Sequence, residues 1–280
     1  MDGGFPPAGG RRGGKLTIDG AVEEAGARIA SGAELLLLLD LDGTLATFKV
    51  DPARVRLYPG MKTLLARFVA RPRTRVLIVT GRRASEAHAV VGLDRVGVVG
   101  LHGREFLDDG FARILAASPR ARRALDRLLV LVKAIAARTP GSHFEDKRPG
   151  GVVLHTRGAP PAKAAAAEAE LALAIAAARA DGIELLTGKR MAEARVGGAS
   201  KGTAVAALAK TATAAARRAR RPAPVILFAG DDVTDEDAHR ALAEFEAITI
   251  LVAARARPTA ARFRVPSIGA LKAVLERLAC

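Results

Sequence analysis

The feature that most constrains this 280-residue chain is a run of five leucines, Leu35–Leu39, followed by Asp40 and Asp42. An apolar run of this length, bounded by polar residues, is typical of a strand buried on both faces of a parallel sheet. In open α/β sheets, ligands bind outside the carboxyl ends of such strands. Placing two carboxylates there costs desolvation free energy unless a bound cation or a catalytic role compensates for it. The pattern therefore predicts a functional cleft. The alternative is that Asp40 caps a helix and Asp42 begins an ordinary turn.

Alternating strand and helix patterns predict an α/β fold with a Rossmann-like parallel sheet. We expect a catalytic core formed by residues 31–110 and 196–280, interrupted by a cap domain at 111–195 with the order α-β-β-α-β-β. Residues 1–30 are expected to form a flexible tail, although a short helix over Ile18–Ala30 is also predicted.

Composition narrows the classes of partner. The net charge of +15 is spread along helical faces, and aromatic residues make up only 4% of the chain, so platforms for stacking bases are scarce. We therefore expect no specific nucleic-acid binding, whereas a positive field would attract a phosphorylated substrate. The single cysteine, Cys280, excludes a disulfide framework and a thiolate metal site. No segment has the length and apolarity of a signal peptide or membrane span, so we expect a cytoplasmic protein without a membrane partner.

Further polar residues follow other predicted strands. Thr80 ends the second strand, Asp231, Asp232 and Asp235 follow a later one, and Lys201 begins a helix after the insertion. Each residue alone also fits an ordinary turn, helix start or helix cap. Because strand ends are neighbours in a parallel sheet, the set supplies a nucleophile, a hydroxyl donor, a cation and an acidic cluster. These are the groups that phosphoryl transfer requires.

The sequence from Asp40 to Thr44 resembles the nucleophile motif of haloacid-dehalogenase-like (HAD) phosphatases. Over nearly all of residues 35–275 the chain is similar to the trehalose-6-phosphate phosphatases of that superfamily. The segments that carry this resemblance are residues 40–46, 80–82, 100–103, 144–147, 154–157, 193, 200–202 and 230–236. The resemblance implies a HAD core with an inserted cap.

The resemblance also implies roles for four catalytic residues. Asp40 would attack phosphorus and form an aspartyl-phosphate. Asp42 would protonate the leaving sugar oxygen and then activate the hydrolytic water. Thr80 would bind phosphoryl oxygens, and Lys201 would balance the charge of Asp40 and the phosphate.

Mg²⁺ is the implied cofactor, since a hard cation suits an all-oxygen site. Its ligands would be the Asp40 and Asp231 carboxylates and the Asp42 backbone carbonyl. Asp232 and Asp235 would support this shell from outside.

Cap residues are expected to bind the sugar. In the family, residues at the positions of Glu145, Lys147 and Glu193 hold sugar hydroxyls, and strand alternation places Glu145 and Lys147 on one face. The other expected substrate contacts are Gly81, Arg82, His102 and Lys189. The alternative for the cap residues is that they are ordinary charged groups on exposed strands.

The implied activity is Mg²⁺-dependent hydrolysis of trehalose 6-phosphate to trehalose and phosphate. Alternatives are a capped phosphatase acting on a glycosylglycerate phosphate or sucrose phosphate, a phosphomutase, and a phosphatase-like protein that binds a synthase or nucleic acid. The sequence lacks a P-loop and a Rossmann glycine fingerprint. Association with a trehalose-phosphate synthase is not readable from the sequence.

Overall fold

The computed structural model describes residues 17–47, 54–108, 111–188 and 190–279, and these ranges contain two β-sheets. The strands, in chain order, are β1 (Leu35–Leu39), β2 (Thr74–Val79), β3 (Gly97–Gly100), β4 (Glu105–Asp108), β5 (Phe111–Ile114), β6 (His143–Asp146), β7 (Gly151–His155), β8 (Ile183–Gly188), β9 (Met191–Val196), β10 (Val225–Gly230), β11 (Ile248–Val252) and β12 (Phe263–Val265). The helices are α1 (Ile18–Ala30), α2 (Met61–Ala70), α3 (Ala84–Val91), α4 (Pro119–Arg138), α5 (Pro161–Ala177), α6 (Lys201–Arg218), α7 (Glu236–Ala241) and α8 (Ile268–Leu278).

The larger sheet has the order β12-β11-β10-β1-β2-β3-β4-β5. Its strands are parallel from β12 to β3, and β4 and β5 are antiparallel additions at one edge. The chain leaves β1 toward β2 and later returns on its other side at β10. The carboxyl end of β1 is therefore a topological switch point, the position at which open α/β sheets bind ligands.

The leucines of β1 explain why this strand lies at the centre. All five are buried. Leu35, Leu37 and Leu39 pack into the core beneath α1, α2 and α8, whereas Leu36 and Leu38 pack against α6 and α7 on the opposite face. A strand that is apolar on both faces is stable only between two helical layers. The predicted α/β class is confirmed.

The smaller sheet is antiparallel, with the order β6-β7-β9-β8. Helices α4 and α5 cover one of its faces, where Val152, Leu154 and Ala194 pack against Leu128 and Leu171. We call residues 119–196, from α4 to β9, the inserted unit. Its element order is the predicted α-β-β-α-β-β. Because side chains alternate along a strand, its other face carries the odd-numbered residues of β6, β7 and β9 and, by register, the even-numbered residues of β8.

The boundaries of the insertion differ from the prediction. Strand β5 pairs with β4 in the larger sheet, although residue 111 was expected to begin the cap. The sequence Asp109-Gly110 is typical of a tight hairpin turn, which continues a sheet and does not leave it. At the other end Val196 completes β9, although residue 196 was assigned to the core.

The predicted flexible tail of residues 1–30 is too long. Residues 1–16 lie outside the described ranges, but α1 buries Ala21, Val22 and Ala25 against the larger sheet's helical layer. Arg28 also donates to the carbonyl of Pro224 at 3.2 Å. Across the described ranges, no helix combines the length and apolarity that a bilayer crossing requires.

Candidate active site

A cavity of about 340 Å³ lies between the carboxyl ends of the larger sheet and the face of the smaller sheet that carries Glu145 and Glu193. Lys189, a predicted substrate contact, lies outside the described residues. Asp231 and Asp235 are not on the wall, but their carboxylates lie beside Asp40. The predicted site residues that line the cavity are Asp40, Asp42, Thr80, Gly81, Arg82, His102, Glu145, Lys147, Glu193, Lys201 and Asp232.

Lys201 joins the two halves of the catalytic core. It is the first residue of α6, whose start is fixed by a capping box between Ser200 and Thr203. Its ammonium donates to Asp40 Oδ1 at 2.6 Å and to Asp235 Oδ1 at 2.7 Å, and all three side chains are buried. The chain brings a cation from residue 201 to the end of β1, as the sequence predicted for phosphoryl chemistry.

Burial and charge act in opposite directions on this cluster. Burial raises the pKa of Asp40, Lys201 lowers it, and the nearby Asp235 and Asp231 carboxylates raise it again, so the pKa ends well above its usual range. Burial lowers the pKa of Lys201, but Asp235 and Asp40 outweigh it and the pKa is raised. Lys201 therefore stays protonated, and the excess of negative charge favours a further cation.

Asp235 organises the cluster and does not present a ligand to the cavity. One of its oxygens accepts from Lys201, and the other accepts from the backbone amides of Asp231 and Asp232, both at 3.0 Å. One oxygen is thus committed to Lys201 and the other to the loop that carries Asp231. The expected supporting role of Asp235 stays a prediction that this geometry favours.

Asp231 lies directly against Gly43, in the turn after Asp42. Gly43 has φ +89°, and any side chain on it would collide with the Asp231 carboxylate. One oxygen each from Asp40, Asp231 and Asp235 fall within 4.8 Å of one another. With Asp235 committed to Lys201 and two amides, Asp40 and Asp231 are the carboxylates that suit a small hard cation.

Asp42 is held by Arg82, which follows β2. The Arg82 guanidinium donates to both oxygens of Asp42, at 2.7 Å from Nε and 2.8 Å from the terminal nitrogen. Burial lowers the pKa of Arg82, but the Asp42 carboxylate outweighs it and the pKa is raised. Arg82 was expected to contact substrate, and here it binds the predicted general acid.

The loop after β2 places Thr80, Gly81 and His102 together. Thr80 is buried, and its hydroxyl accepts from the backbone N–H of Arg82 at 3.2 Å. His102 donates its own backbone N–H to the carbonyl of Thr80, and its ring lies over Gly81. A side chain on Gly81 would begin 2.5 Å from His102 Nε2. Gly81 is thus required by the close approach of the imidazole.

A row of charged residues lies on the smaller sheet. Glu193 Oε2 is 3.7 Å from Lys147 Nζ and 3.7 Å from His102 Nε2, while Lys147 Nζ is 3.7 Å from Glu145 Oε2. Burial raises the pKa of Glu193, but Lys147 and His102 outweigh it and the pKa falls to about 2. Glu193 is therefore an ionised acceptor facing the cavity.

Comparison with known proteins assigns the chain to a family. A trehalose-phosphatase family model matches residues 38–268, from the end of β1 to the start of α8. The chain belongs to the trehalose-phosphatase family. A probable trehalose-phosphate phosphatase of Sinorhizobium fredii is 31% identical over 244 residues, which are 87% of each chain.

A second relative of the trehalose-phosphatase family is longer. The bifunctional trehalose-6-phosphate synthase/phosphatase of Thermoproteus tenax is 31% identical over 262 residues, which are 92% of this chain and 34% of that protein. The chain thus spans about a third of that relative. The C-terminal domain of C. albicans trehalose-6-phosphate phosphatase has a TM-score of 0.77 at 22% identity, covering 92% of this chain and 95% of that domain. The predicted HAD-like fold is confirmed.

Sequence reasoning about this trehalose-phosphatase chain gave no role to His143 and noted His155 only within the family-like segment 154–157, but both rings lie on the cavity wall. His155 Nε2 lies 2.8 Å from Glu145 Oε2, and its ring stacks on that of His143 at a centroid distance of 4.6 Å. The two histidines face each other because His143 pairs with His155 in the β6–β7 register. Strand alternation places His143 on the same face as Glu145, which is the signal that could have found it.

Proposed function

We propose that the chain hydrolyses trehalose 6-phosphate to trehalose and phosphate, with Asp40 as the nucleophile. The observation that carries this proposal is the contact of buried Asp40 with Lys201 at the switch point, in the same cavity as the charged row of the smaller sheet. Membership of the trehalose-phosphatase family supports it.

In the first step an Asp40 carboxylate oxygen bonds to phosphorus, and the bond from phosphorus to the sugar oxygen breaks. Asp42 gives its proton to that oxygen, which leaves as the free sugar hydroxyl. In the second step a water oxygen bonds to phosphorus while Asp42 accepts the water proton. The Asp40–phosphorus bond breaks, which releases phosphate, restores the Asp40 carboxylate and leaves Asp42 protonated as at the start.

Two residues prepare Asp40 for this reaction. Lys201 neutralises charge beside the carboxylate and remains a cation throughout. Thr80 and the backbone amides that follow it would donate to the phosphoryl oxygens. These preformed donors stabilise charge where it develops, which is the largest source of catalysis in phosphoryl transfer.

Asp42 must part from Arg82 to take up a proton. A phosphate dianion entering the cavity would compete for the Arg82 guanidinium, since phosphate and carboxylate both suit its bidentate geometry. Arg82 would then bind substrate, as the sequence predicted, and Asp42 would turn to the leaving oxygen. Binding of the substrate phosphate would in this way free Asp42 from its contact with Arg82.

Mg²⁺ suits the acidic pair of Asp40 and Asp231, and the Asp42 backbone carbonyl would complete the set of protein ligands. When bound, the ion would neutralise phosphate charge during transfer. Asp232 and Asp235 would hold the loop that carries Asp231. The excess negative charge around Asp40 is the observation in favour of this cofactor.

Sugar recognition falls to the smaller sheet. Glu193, Lys147 and Glu145 present two acceptors and a cation in one row, and hydroxyl-rich substrates satisfy such groups. The inserted unit would act as a cap that covers the substrate. A sucrose or glycosylglycerate phosphate would need the same core and a different fit to this row.

Phosphate release from a panel of sugar phosphates tests the proposal. With Mg²⁺ present, trehalose 6-phosphate should have a higher kcat/KM than sucrose 6-phosphate, mannosylglycerate phosphate and glucose 6-phosphate. The Asp40→Asn protein provides the blank. Preference for another member of the panel would contradict the substrate, and no release from any member would contradict the activity.

A further inference from the structure

The face of the smaller sheet that lines the cavity is arranged in rows across the strands. Register pairs Glu145 with Val153 and Val153 with Glu193, which forms the charged row. One step further along the strands, register pairs His143 with His155 and His155 with Met191. We call His143, His155 and Met191 the outer row. Its members are two flat rings and a thioether.

The two rows lie at different depths. A series of contacts runs from Gly81 through His102 to Glu193 and Lys147, and then through Glu145 to the outer row. The outer end of the series is more accessible than Glu193 and Lys147 in its middle. The Glu193 side chain is 3% exposed and that of His155 is 23% exposed, while His143 is exposed. Gly81 lies at the end of the cavity that is proposed to bind phosphate. Along this series of contacts, the outer row is the part of the wall farthest from that end.

Small residues keep the space beside the outer row open. Gly141 and Gly158 line the cavity next to the two histidines, and their backbones press so closely together that neither could carry a side chain. Gly188 closes the row beyond Met191. The two imidazoles and the thioether, edged by glycines, thus form the part of the cavity wall beyond the charged row.

Ring-shaped side chains are otherwise rare in this cavity. Among the described residues on its wall there is no Phe or Tyr, and the chain has no Trp. Apart from His102, which lies over Gly81, the two outer-row imidazoles supply the flat surfaces. Sugar rings present C–H faces that pack on such surfaces, as other apolar groups pack on aromatic rings.

We infer that His143, His155 and Met191 form the subsite for the second, unphosphorylated ring of a disaccharide phosphate. The inference rests on the proposed function and deepens it. The charged row would hold the hydroxyls of the phosphorylated ring, and the outer row would decide whether a disaccharide phosphate is preferred to a monosaccharide phosphate.

The test compares kcat/KM for trehalose 6-phosphate and glucose 6-phosphate in the wild type, His143→Ala, His143→Phe and His88→Ala proteins. His143 is chosen because its ring stacks on His155 without a hydrogen bond to the charged row, whereas changing His155 would also disturb Glu145. His88, a partly buried histidine of α3 outside the cavity, is the matched control.

The ratio of the two kcat/KM values should fall about three- to tenfold in His143→Ala, which is the range of one aromatic stacking contact, mainly through KM for the disaccharide. His143→Phe should restore the ratio and His88→Ala should keep it. An unchanged ratio in His143→Ala would overturn the inference, as would failure of the Phe variant to restore it. If the wild type prefers another disaccharide phosphate, the trehalose assignment alone fails, and the same comparison is then made with that substrate.

Discussion

The guanidinium of Arg82 binds both carboxylate oxygens of Asp42, at 2.7 and 2.8 Å, across the gap between the ends of β1 and β2. The pair orients the group proposed as general acid before substrate arrives. A fork with two donors fixes both the position and the plane of a carboxylate, which a single ammonium cannot do.

Arg82→Lys should therefore lower kcat by more than about tenfold, because the lysine keeps the charge but loses the two-point orientation. Steady-state kinetics with trehalose 6-phosphate measure the effect. Arg75→Lys is the matched control, since Arg75 also pairs with a carboxylate, Asp108, through two nitrogens but lies away from the cavity. Equal rates for the two variants would contradict the orienting role of Arg82.

Asp42→Asn should separate the two chemical steps. With p-nitrophenyl phosphate the leaving group departs without a proton, so Asp40 can still be phosphorylated, whereas hydrolysis lacks its base. We expect a burst of one nitrophenolate per active site and a phosphoryl group on the peptide that contains Asp40, detected by mass spectrometry after acid quench. A linear time course with an unmodified peptide would count against a covalent intermediate. The double variant with Asp40→Asn should show no burst.

Removal of Mg²⁺ by a chelator should abolish phosphate release. Asp231→Asn should raise the Mg²⁺ concentration needed for half-maximal activity by more than about tenfold, since it removes one of few charged ligands. Asp232→Asn is the neighbouring control, because Asp232 lies in the same loop but outside the carboxylate cluster. The prediction fails if Asp232→Asn shifts the Mg²⁺ requirement as much as Asp231→Asn.

Glu193 should make folding stability depend on pH in the acid range. Its pKa is held at about 2, below the ordinary value of 4.5, so its stabilising effect is fully present above pH 4.5 and is lost as pH falls through 2. The shift corresponds to about 3 kcal/mol at neutral pH. Urea denaturation of Glu193→Gln between pH 4.5 and pH 2 should give a shallower pH slope than the wild type. Glu244→Gln, at an exposed pair with Lys210, should keep the wild-type slope, and an unchanged slope in Glu193→Gln would refute the prediction.

The centre of the site was predictable because local patterns encode it. Leu35–Leu39 is typical of a strand buried on both faces, and Asp40 then falls at its carboxyl end. The contact with Lys201 follows from topology, since α6 begins over the same edge of the sheet. In this fold class the carboxyl ends of the parallel strands converge, so the proximity of residues at those ends can be predicted without knowing how the side chains pack.

Features that depend on long-range packing were not predictable. Buried Arg104 donates to the carbonyls of Leu115, Val196 and Gly197 and so ties both connections of the inserted unit to β4, yet nothing in its neighbourhood distinguishes it from other arginines. The stacking of His143 on His155 depends on the register of β6 and β7. The sequence predicted both strands and left their register open.

Phosphate release from trehalose 6-phosphate by the wild-type and Asp40→Asn proteins, measured side by side at saturating Mg²⁺, tests the central claim most directly. We predict turnover by the wild type and none by Asp40→Asn, with matching circular dichroism spectra for the two proteins. Turnover by Asp40→Asn at the wild-type rate would contradict the assignment of the nucleophile. Absence of turnover by the wild type would contradict the proposed function itself.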